Sequence, residues 1–298
     1  MNYYDEIKNK LIENEIYERI KDCSKERNRV KTYFEIGRLL SEAGKHYGDN
    51  IIEKYSKKLM VEVGKKYNVR TLRSMRQLYF TFKNEIWKPL VSKTSWTNLL
   101  IIMPLKEQNR MYYYINQCLL YNLSKRQLQE KIKSNEYERL DEKTKNKLIN
   151  QEDITVTDFI KNPILIKNIY NYENISEKFL QKLIMEDIPS FLEELGNGFT
   201  FIKNEYKIKI GDNYNYIDLL LFNIEFNCYT IVELKVTELK KEHIGQIQIY
   251  MNYIDQNLRK MHQEKTIGII ICKKDNKYII EYCSDKRILS RTYNLVEI

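Results

Sequence analysis

The chain has 298 residues, 43% of them hydrophobic and 31% charged, enough apolar matter for packed cores and, at roughly 100–200 residues each, for two domains. Four prolines and nine glycines exclude collagen-like, linker-rich and turn-rich all-β architectures and favour helices. Lys+Arg number 50 and Asp+Glu 41, a net charge of +9.

The charge is unevenly placed. Residues 1–170 hold 33 Lys+Arg against 22 Asp+Glu, whereas residues 171–298 hold 17 against 19; within 51–133 the count is 17 against 5. A basic half of this kind points to a polyanion, most simply nucleic acid. No apolar run approaches the roughly 20 residues that span a bilayer, and the first residues show no signal-peptide pattern. The five cysteines, Cys23, Cys118, Cys228, Cys272 and Cys283, never form a C-x-x-C pair. A cytoplasmic protein without disulfides, structural zinc or a membrane partner is the expectation.

Apolar residues at helical spacing predict a first helix through Leu11, Ile12, Ile16 and Ile20, and a second through Phe34, Ile36, Leu39 and Leu40 that Gly44 ends. A third carries Ile51, Ile52, Tyr55 and Leu59 and stops near Gly64. After Tyr67-Asn68-Val69, a fourth puts Leu72, Met75, Leu78, Tyr79 and Phe82 on one side and Arg70, Arg73, Arg76 and Gln77 on another. Helix, short turn and basic second helix is the geometry of helix-turn-helix nucleic-acid readers; the alternative is a plain bundle surface, since any amphipathic helix has a polar side. Three short helices are expected in 94–133, one opened by a capping box from Ser124 to Gln127, and Trp87 and Trp96 read as core anchors.

The polar run 134–156 reads as part of an interdomain connection, and the expected organisation is a helical basic domain over 1–133, a connection over 134–170 and a second domain over 171–298. In that second domain a helix at about 176–195 precedes strands at 199–210, 214–223 and 227–236, a helix at about 240–258, and strands at 266–272 and 277–283. This order describes an α/β sandwich on a mixed sheet, and an α+β chain overall.

Three charges interrupt apolar strands: Asp218 in YIDLLLF, and Glu233 and Lys235 in IVELKV. A lone charge there is costly unless it is paired, hydrogen-bonded or bound to metal. Glu233 and Lys235 share a face because strand side chains alternate, and Asp218 can join them if the two strands are neighbours. Two carboxylates, a nearby backbone carbonyl and waters make a hard oxygen site suited to Mg²⁺ or Mn²⁺, an ion that polarises a phosphate oxygen and lowers the pKa of a water.

Asp218 followed by Glu233-Leu234-Lys235 resembles the D…ExK core of the PD-(D/E)xK nuclease superfamily. The stretches FLEELGNGFTFIKNEYKI, YIDLLLFN, CYTIVELKV, HIGQIQIYMNYID and IGIIICK resemble, in order and spacing, the C-terminal domain of the YhcG-type bacterial family. YFEIGRLL, IIEKYSKKLMVEVGKKYNVRTLRSMRQLYFTF, SWTNLL and LSKRQLQEKI resemble that family's helical N-terminal domain. The resemblance implies a restriction-endonuclease-like fold and a metal-dependent nuclease, with Asp218 and Glu233 as metal carboxylates, Leu234 as a backbone ligand and Lys235 as the catalytic lysine. Gln246 and Tyr250 match the Q-x-x-x-Y helix element of RecB-like members. Where the pattern usually has Glu on the domain's first helix, this chain has Gln181, with Glu177 one turn earlier as a substitute. DNA is the expected substrate and a homodimer is left open. The alternatives are a nucleic-acid-binding or assembly module whose nuclease fold is inactive or needs a partner, and an adaptor whose basic half meets an acidic protein.

Overall fold

The computed structural model describes residues 2–19, 25–48, 50–83, 88–150, 152–153, 155–170 and 175–297. It divides into two compact units, Met1–Tyr137 and Glu138–Ile298. Ile20, Cys23 and Trp87 lie outside the described residues. No helix among the described residues is long and apolar enough to cross a membrane.

The first unit is built from helices α1 (Tyr3–Arg19), α2 (Lys25–Tyr47), α3 (Ile51–Glu62), α4 (Val69–Phe82), α5 (Lys88–Lys93), α6 (Trp96–Ile102), α7 (Gln108–Tyr121) and α8 (Lys125–Lys133). The buried face of α1 is Ile7 and Leu11; Ile12 and Ile16 are exposed, so the apolar stripe expected from the sequence is displaced toward the N-terminus. Helix α2 runs through Gly44 to Tyr47, past its expected end. A helical glycine is tolerated when packing supports its neighbours, and Ile36, Leu39, Leu40 and Ala43 are all fully buried. Gly37 has a structural reason: a Cβ there would stand 2.1 Å from the Met75 carbonyl oxygen, so α2 and α4 approach through it. Helix α4 buries Leu72, Met75, Leu78 and Phe82 and starts at Asn68, whose side chain accepts from Thr71 N at 3.1 Å. The Ser124–Gln127 capping box forms as the spacing predicts. Trp96 is half-buried, set edge-on to Tyr33 at 5.0 Å between centroids.

The second unit contains α9 (Glu142–Asn150), β1 (Ile164–Lys167), α10 (Glu177–Glu186), α11 (Ile188–Leu195), β2 (Phe199–Ile210), β3 (Asn213–Asn223), β4 (Cys228–Glu238), α12 (Lys241–Asn257), β5 (Glu264–Lys274), α13 (Lys277–Glu281) and β6 (Ile288–Val296). The strands form one mixed sheet in the order β1-β6-β5-β4-β3-β2. The β2–β3 and β3–β4 pairs are antiparallel; β4–β5, β5–β6 and β1–β6 are parallel. The centre of β5, residues 267–272, is apolar because both its faces are covered: Ile269 and Ile271 pack with α10 and α11, and Ile270 and Cys272 with α12. A Cβ on Gly268 would meet Met251 Sδ at 2.7 Å, so α12 lies tight against β5.

Four features depart from the sequence reading. The expected 176–195 helix is two helices, because Asp187 caps a new start by accepting from Ser190 N and Pro189 fits a first turn. Residues 277–283, expected as a strand, form α13, with Tyr278 and Tyr282 exposed and Ile279 and Ile280 half-buried against the α12 side. The strand lies instead at 288–296, where a buried Arg291 obscured the apolar pattern; its guanidinium donates to the carbonyls of Ile160 and Ser290 and to Asp141. Residues 134–170, read as a connection, carry α9 and the edge strand β1.

Candidate active site

β3 and β4 pair with Leu219 opposite Val232, so one step along the antiparallel ladder sets Asp218 opposite Glu233. The side-chain alternation of β3 reverses at this point: Leu219 and Leu221 pack on the α10 side, yet Ile217, of the same parity, packs on the α12 side. Across the ladder from Asp218, Glu205 holds a left-handed φ of 47° within β2, a conformation that non-glycine residues rarely adopt. Asp218 thus sits where the β2–β3 pair is kinked, and its side chain is turned along the sheet toward β4.

The two carboxylates are bound into one network. Leu234 N donates to Asp218 Oδ2 at 2.8 Å, and Asp218 N donates to Glu233 Oε1 at 3.4 Å. Lys235 Nζ lies 3.6 Å from Glu233 Oε2 and 3.5 Å from Glu177 Oε2. Gln246 Nε2 on α12 donates at 3.1 Å to Glu233 Oε2 and at 3.1 Å to the Tyr250 hydroxyl. Gln181 Nε2 on α10 donates at 3.0 Å to the Asp218 carbonyl oxygen. Asp218, Glu233, Lys235, Gln246, Tyr250, Glu177 and Gln181 therefore meet in one place. The Leu234 side chain is buried on the opposite face of β4, and its contact with Asp218 is through the N–H.

β4 is an interior strand, and the Glu233 side chain is only 2% exposed. Burial, and then the negative charge of Asp218, push the Glu233 carboxyl up to about 8, against the opposing pull of Lys235. Burial also raises Asp218, partly offset by the hydrogen bond from Leu234. Two buried carboxyls that repel one another's ionised forms are a good seat for a cation. Their donors are hard oxygens, which suit Mg²⁺ or Mn²⁺. Among the described residues no three His, Cys, Asp or Glu side chains converge as a complete ligand set.

Two neighbours of the site escaped the sequence reading. His243 stands on α12 one turn before Gln246; burial and the Lys235 charge lower its pKa. Its spacing of three and seven residues from Gln246 and Tyr250 was the available signal. Glu205 bears on Asp218 through its charge, a relationship that the register creates and no local motif announces.

In the first unit Arg70, Arg73 and Gln77 are exposed on α4. Arg73 Nη2 makes an exposed ion pair with Glu53 at 3.3 Å. Arg76 departs from the expected shared face: it is half-buried and turned toward α2, where a Cβ on Gly44 would stand 3.8 Å from its Nη1. Six residues beyond Arg70 is a large rotation around a helix.

Residues 157–296 match a family described as the YhcG PDDEXK nuclease domain, and residues 9–139 one described as the DUF1016 N-terminal domain. The putative nuclease YhcG of Escherichia coli (strain K12) is 25% identical over 283 residues, covering 81% of this chain and 76% of that protein. Among solved structures, a repair endonuclease from Pyrococcus abyssi aligns with a TM-score of 0.29 and 19% identity over 43% of this chain and 49% of its own. EndoMS in complex with dsDNA aligns with a TM-score of 0.29 and 18% identity over 44% and 48%. The chain thus spans about half the length of these solved proteins.

Proposed function

From a chain whose residues 157–296 match the YhcG PDDEXK nuclease domain family, we propose a divalent-metal-dependent nuclease that hydrolyses phosphodiester bonds, with DNA as substrate. The observation that carries this reading is the buried pairing of Asp218 with Glu233 beside the Lys235 ammonium. Asp218 and Glu233 would hold the cation, with the Leu234 main-chain carbonyl as a further ligand. Mg²⁺ or Mn²⁺ bound there would neutralise charge on the phosphate and acidify a water.

The remaining side chains have definable tasks. Lys235 offsets negative charge as it builds on the phosphoryl oxygens, and its position between Glu233 and Glu177 fixes where that positive charge stands. Gln246, anchored on Tyr250, orients the Glu233 carboxylate. Gln181 holds the Asp218 main chain, so at this position the chain has a strut in place of a further carboxylate. Arg70, Arg73 and Gln77 would contact the phosphate backbone, and the salt dependence of such contacts is their signature.

The test is incubation of the purified chain with labelled duplex and single-stranded DNA and RNA, with Mg²⁺, Mn²⁺ or chelator. Metal-dependent cleavage of DNA that Asp218→Asn abolishes supports the reading. Binding without cleavage under every condition would replace it with an assembly module that has a nuclease fold.

A further inference from the structure

β2 is an edge strand of the sheet. Beyond Glu205 the β2–β3 pair continues as a two-stranded ribbon, with Lys207 opposite Tyr216 and Lys209 opposite Tyr214. Directly opposed residues point to one face, so these four form a single surface. The ribbon's other face is spoken for: Ile208 and Ile217 are buried against α12, with Tyr206 and Ile210 packed beside them. The outer face is open. Tyr214 is 57% exposed and Tyr216 52%, and both lysines are exposed.

Ordinary fold stability does not account for this surface. Exposed tyrosines bury little apolar area, and among the described residues neither lysine makes an ion pair with a carboxylate. Lys207 Nζ instead lies 3.7 Å from the centroid of the Tyr214 ring, which steadies the ring and keeps the cation beside it. The two lysines are two residues apart, or about 7 Å along a strand. Tyr216 is two positions from Asp218 on the same strand.

We propose that this ribbon face holds a single-stranded segment of the nucleic acid as it enters the Asp218–Glu233 site, with Lys207 and Lys209 on phosphates and Tyr214 and Tyr216 stacked on unpaired bases. The inference rests on the nuclease reading above. Paired lysines alone would suit any phosphate backbone. Interleaved exposed rings favour a strand whose bases are free, because a duplex hides its base faces.

The test uses the full chain in chelator, with fluorescence anisotropy on a labelled single-stranded oligonucleotide and on its blunt duplex across a salt series. The variants are Lys207→Gln/Lys209→Gln and Tyr214→Ala/Tyr216→Ala. Lys277→Gln/Lys286→Gln, on α13 and just before β6, controls for net charge. The lysine pair is expected to weaken single-strand binding several-fold and to reduce the log–log salt slope by about 1.4, at roughly 0.7 per phosphate contact. The tyrosine pair is expected to weaken single-strand binding about tenfold, with the duplex changed by less than about twofold. Wild-type affinity and slope in both variants would overturn the proposal, and equal losses on duplex and single strand would overturn the stacking. Should the tyrosine variant melt early, the lysine variant, altered only at the surface, carries the test alone. A wild-type chain that binds no nucleic acid refutes the nuclease reading itself, whereas normal wild-type binding with unaffected ribbon variants refutes only this inference.

Discussion

Gln246 and Glu233 are joined side chain to side chain at 3.1 Å, and the same amide nitrogen reaches Tyr250 one turn along α12. A carboxylate on the sheet is thereby fixed in orientation by a helix packed over it. Gln246→Ala removes the strut without removing a charge. The expectation is a fall in single-turnover cleavage of about 10–100-fold, the range for loss of an outer-shell partner of a metal ligand, with a weaker apparent metal affinity and unchanged oligonucleotide binding in chelator. Tyr250→Phe should give a smaller loss in the same direction. A titration of rate against metal concentration checks both, and a Gln246→Ala curve that overlays the wild type would remove Gln246 from the site.

The raised carboxyl of Glu233 makes stability depend on pH. Its ordinary value is 4.5 and the folded, cation-free protein holds it at about 8. Between those values the folded chain keeps a proton that the unfolded chain has released. Stability is therefore greatest below the lower value, falls as pH rises through the window, and levels off above the upper one. Asp218 is raised too and adds to the same trend. Denaturant melts in chelator from about pH 5 to 8.5 should show the decline, and Glu233→Gln should flatten most of it. A wild-type profile that rises across this window would contradict the assigned environment of Glu233.

How much of this was legible in the sequence follows from which forces were local. Asp218, Glu233 and Lys235 declared themselves because a charge inside an apolar strand is expensive and must have a reason. Gln246 and Tyr250 were found through the resemblance to the Q-x-x-x-Y element, and helical spacing put them on one side. β6 was hidden because the cost of burying Arg291 is met by Ile160 and Asp141, residues roughly 130–150 positions away. Residues 277–283 misled because adjacent isoleucines between tyrosines fit a short helix or a strand equally, and the choice was made by packing. Glu205 and the ribbon face could not be found without the register of β2 on β3.

The exposed part of α4 can be separated from its packed part. Arg70→Gln with Arg73→Gln should reduce the salt slope of duplex binding by about 1.8, at roughly 0.9 per contact, and leave the melting temperature nearly unchanged, since the Arg73–Glu53 pair is exposed. Arg76→Ala should behave in the opposite way, lowering stability through lost packing against α2 with little effect on the slope. Anisotropy and thermal melts of the same samples decide this. Unchanged affinity and slope in the double variant would make α4 a plain bundle surface.

Gly37 gives a test of the first unit that no chemistry complicates. Alanine in a helix is ordinarily favoured over glycine by about 0.5–1 kcal/mol. Here the added carbon would stand 2.1 Å from the Met75 carbonyl oxygen, and a main-chain atom in a packed helix pair cannot step aside cheaply. Overpacking costs of about 1–3 kcal/mol exceed the propensity gain, so Gly37→Ala should destabilise. Gly245→Ala, with open space at its Cβ, should be neutral to stabilising. Equilibrium unfolding by far-UV circular dichroism measures both, and a stabilised Gly37→Ala chain would mean that α2 and α4 are not in this contact.

The site itself is best tested by separating the roles of its three charges. Asp218→Asn keeps an oxygen to accept from Leu234 N but removes the charge that attracts a cation. Glu233→Gln keeps an acceptor for Gln246 and likewise removes a charge. Lys235→Ala leaves both carboxylates and removes the ammonium 3.6 Å from Glu233. Calorimetry with Mn²⁺ should then show binding lost in the first two and retained in the third, while cleavage falls in all three by at least about 100-fold, the scale of losing one preorganised electrostatic partner of the transition state. Stability should also diverge. Glu233→Gln removes a carboxyl that the cation-free fold keeps protonated near neutral pH and should melt no earlier than wild type there, whereas Lys235→Ala removes the cation that opposes its upward shift and should melt earlier. Oligonucleotide binding in chelator should survive in every variant, and Asp218→Asn should bind somewhat more tightly because one carboxylate no longer repels phosphate. A folded Asp218→Asn chain that cleaves at the wild-type rate, or wild-type cleavage that persists under exhaustive chelation, would remove the metal mechanism from this pair of strands.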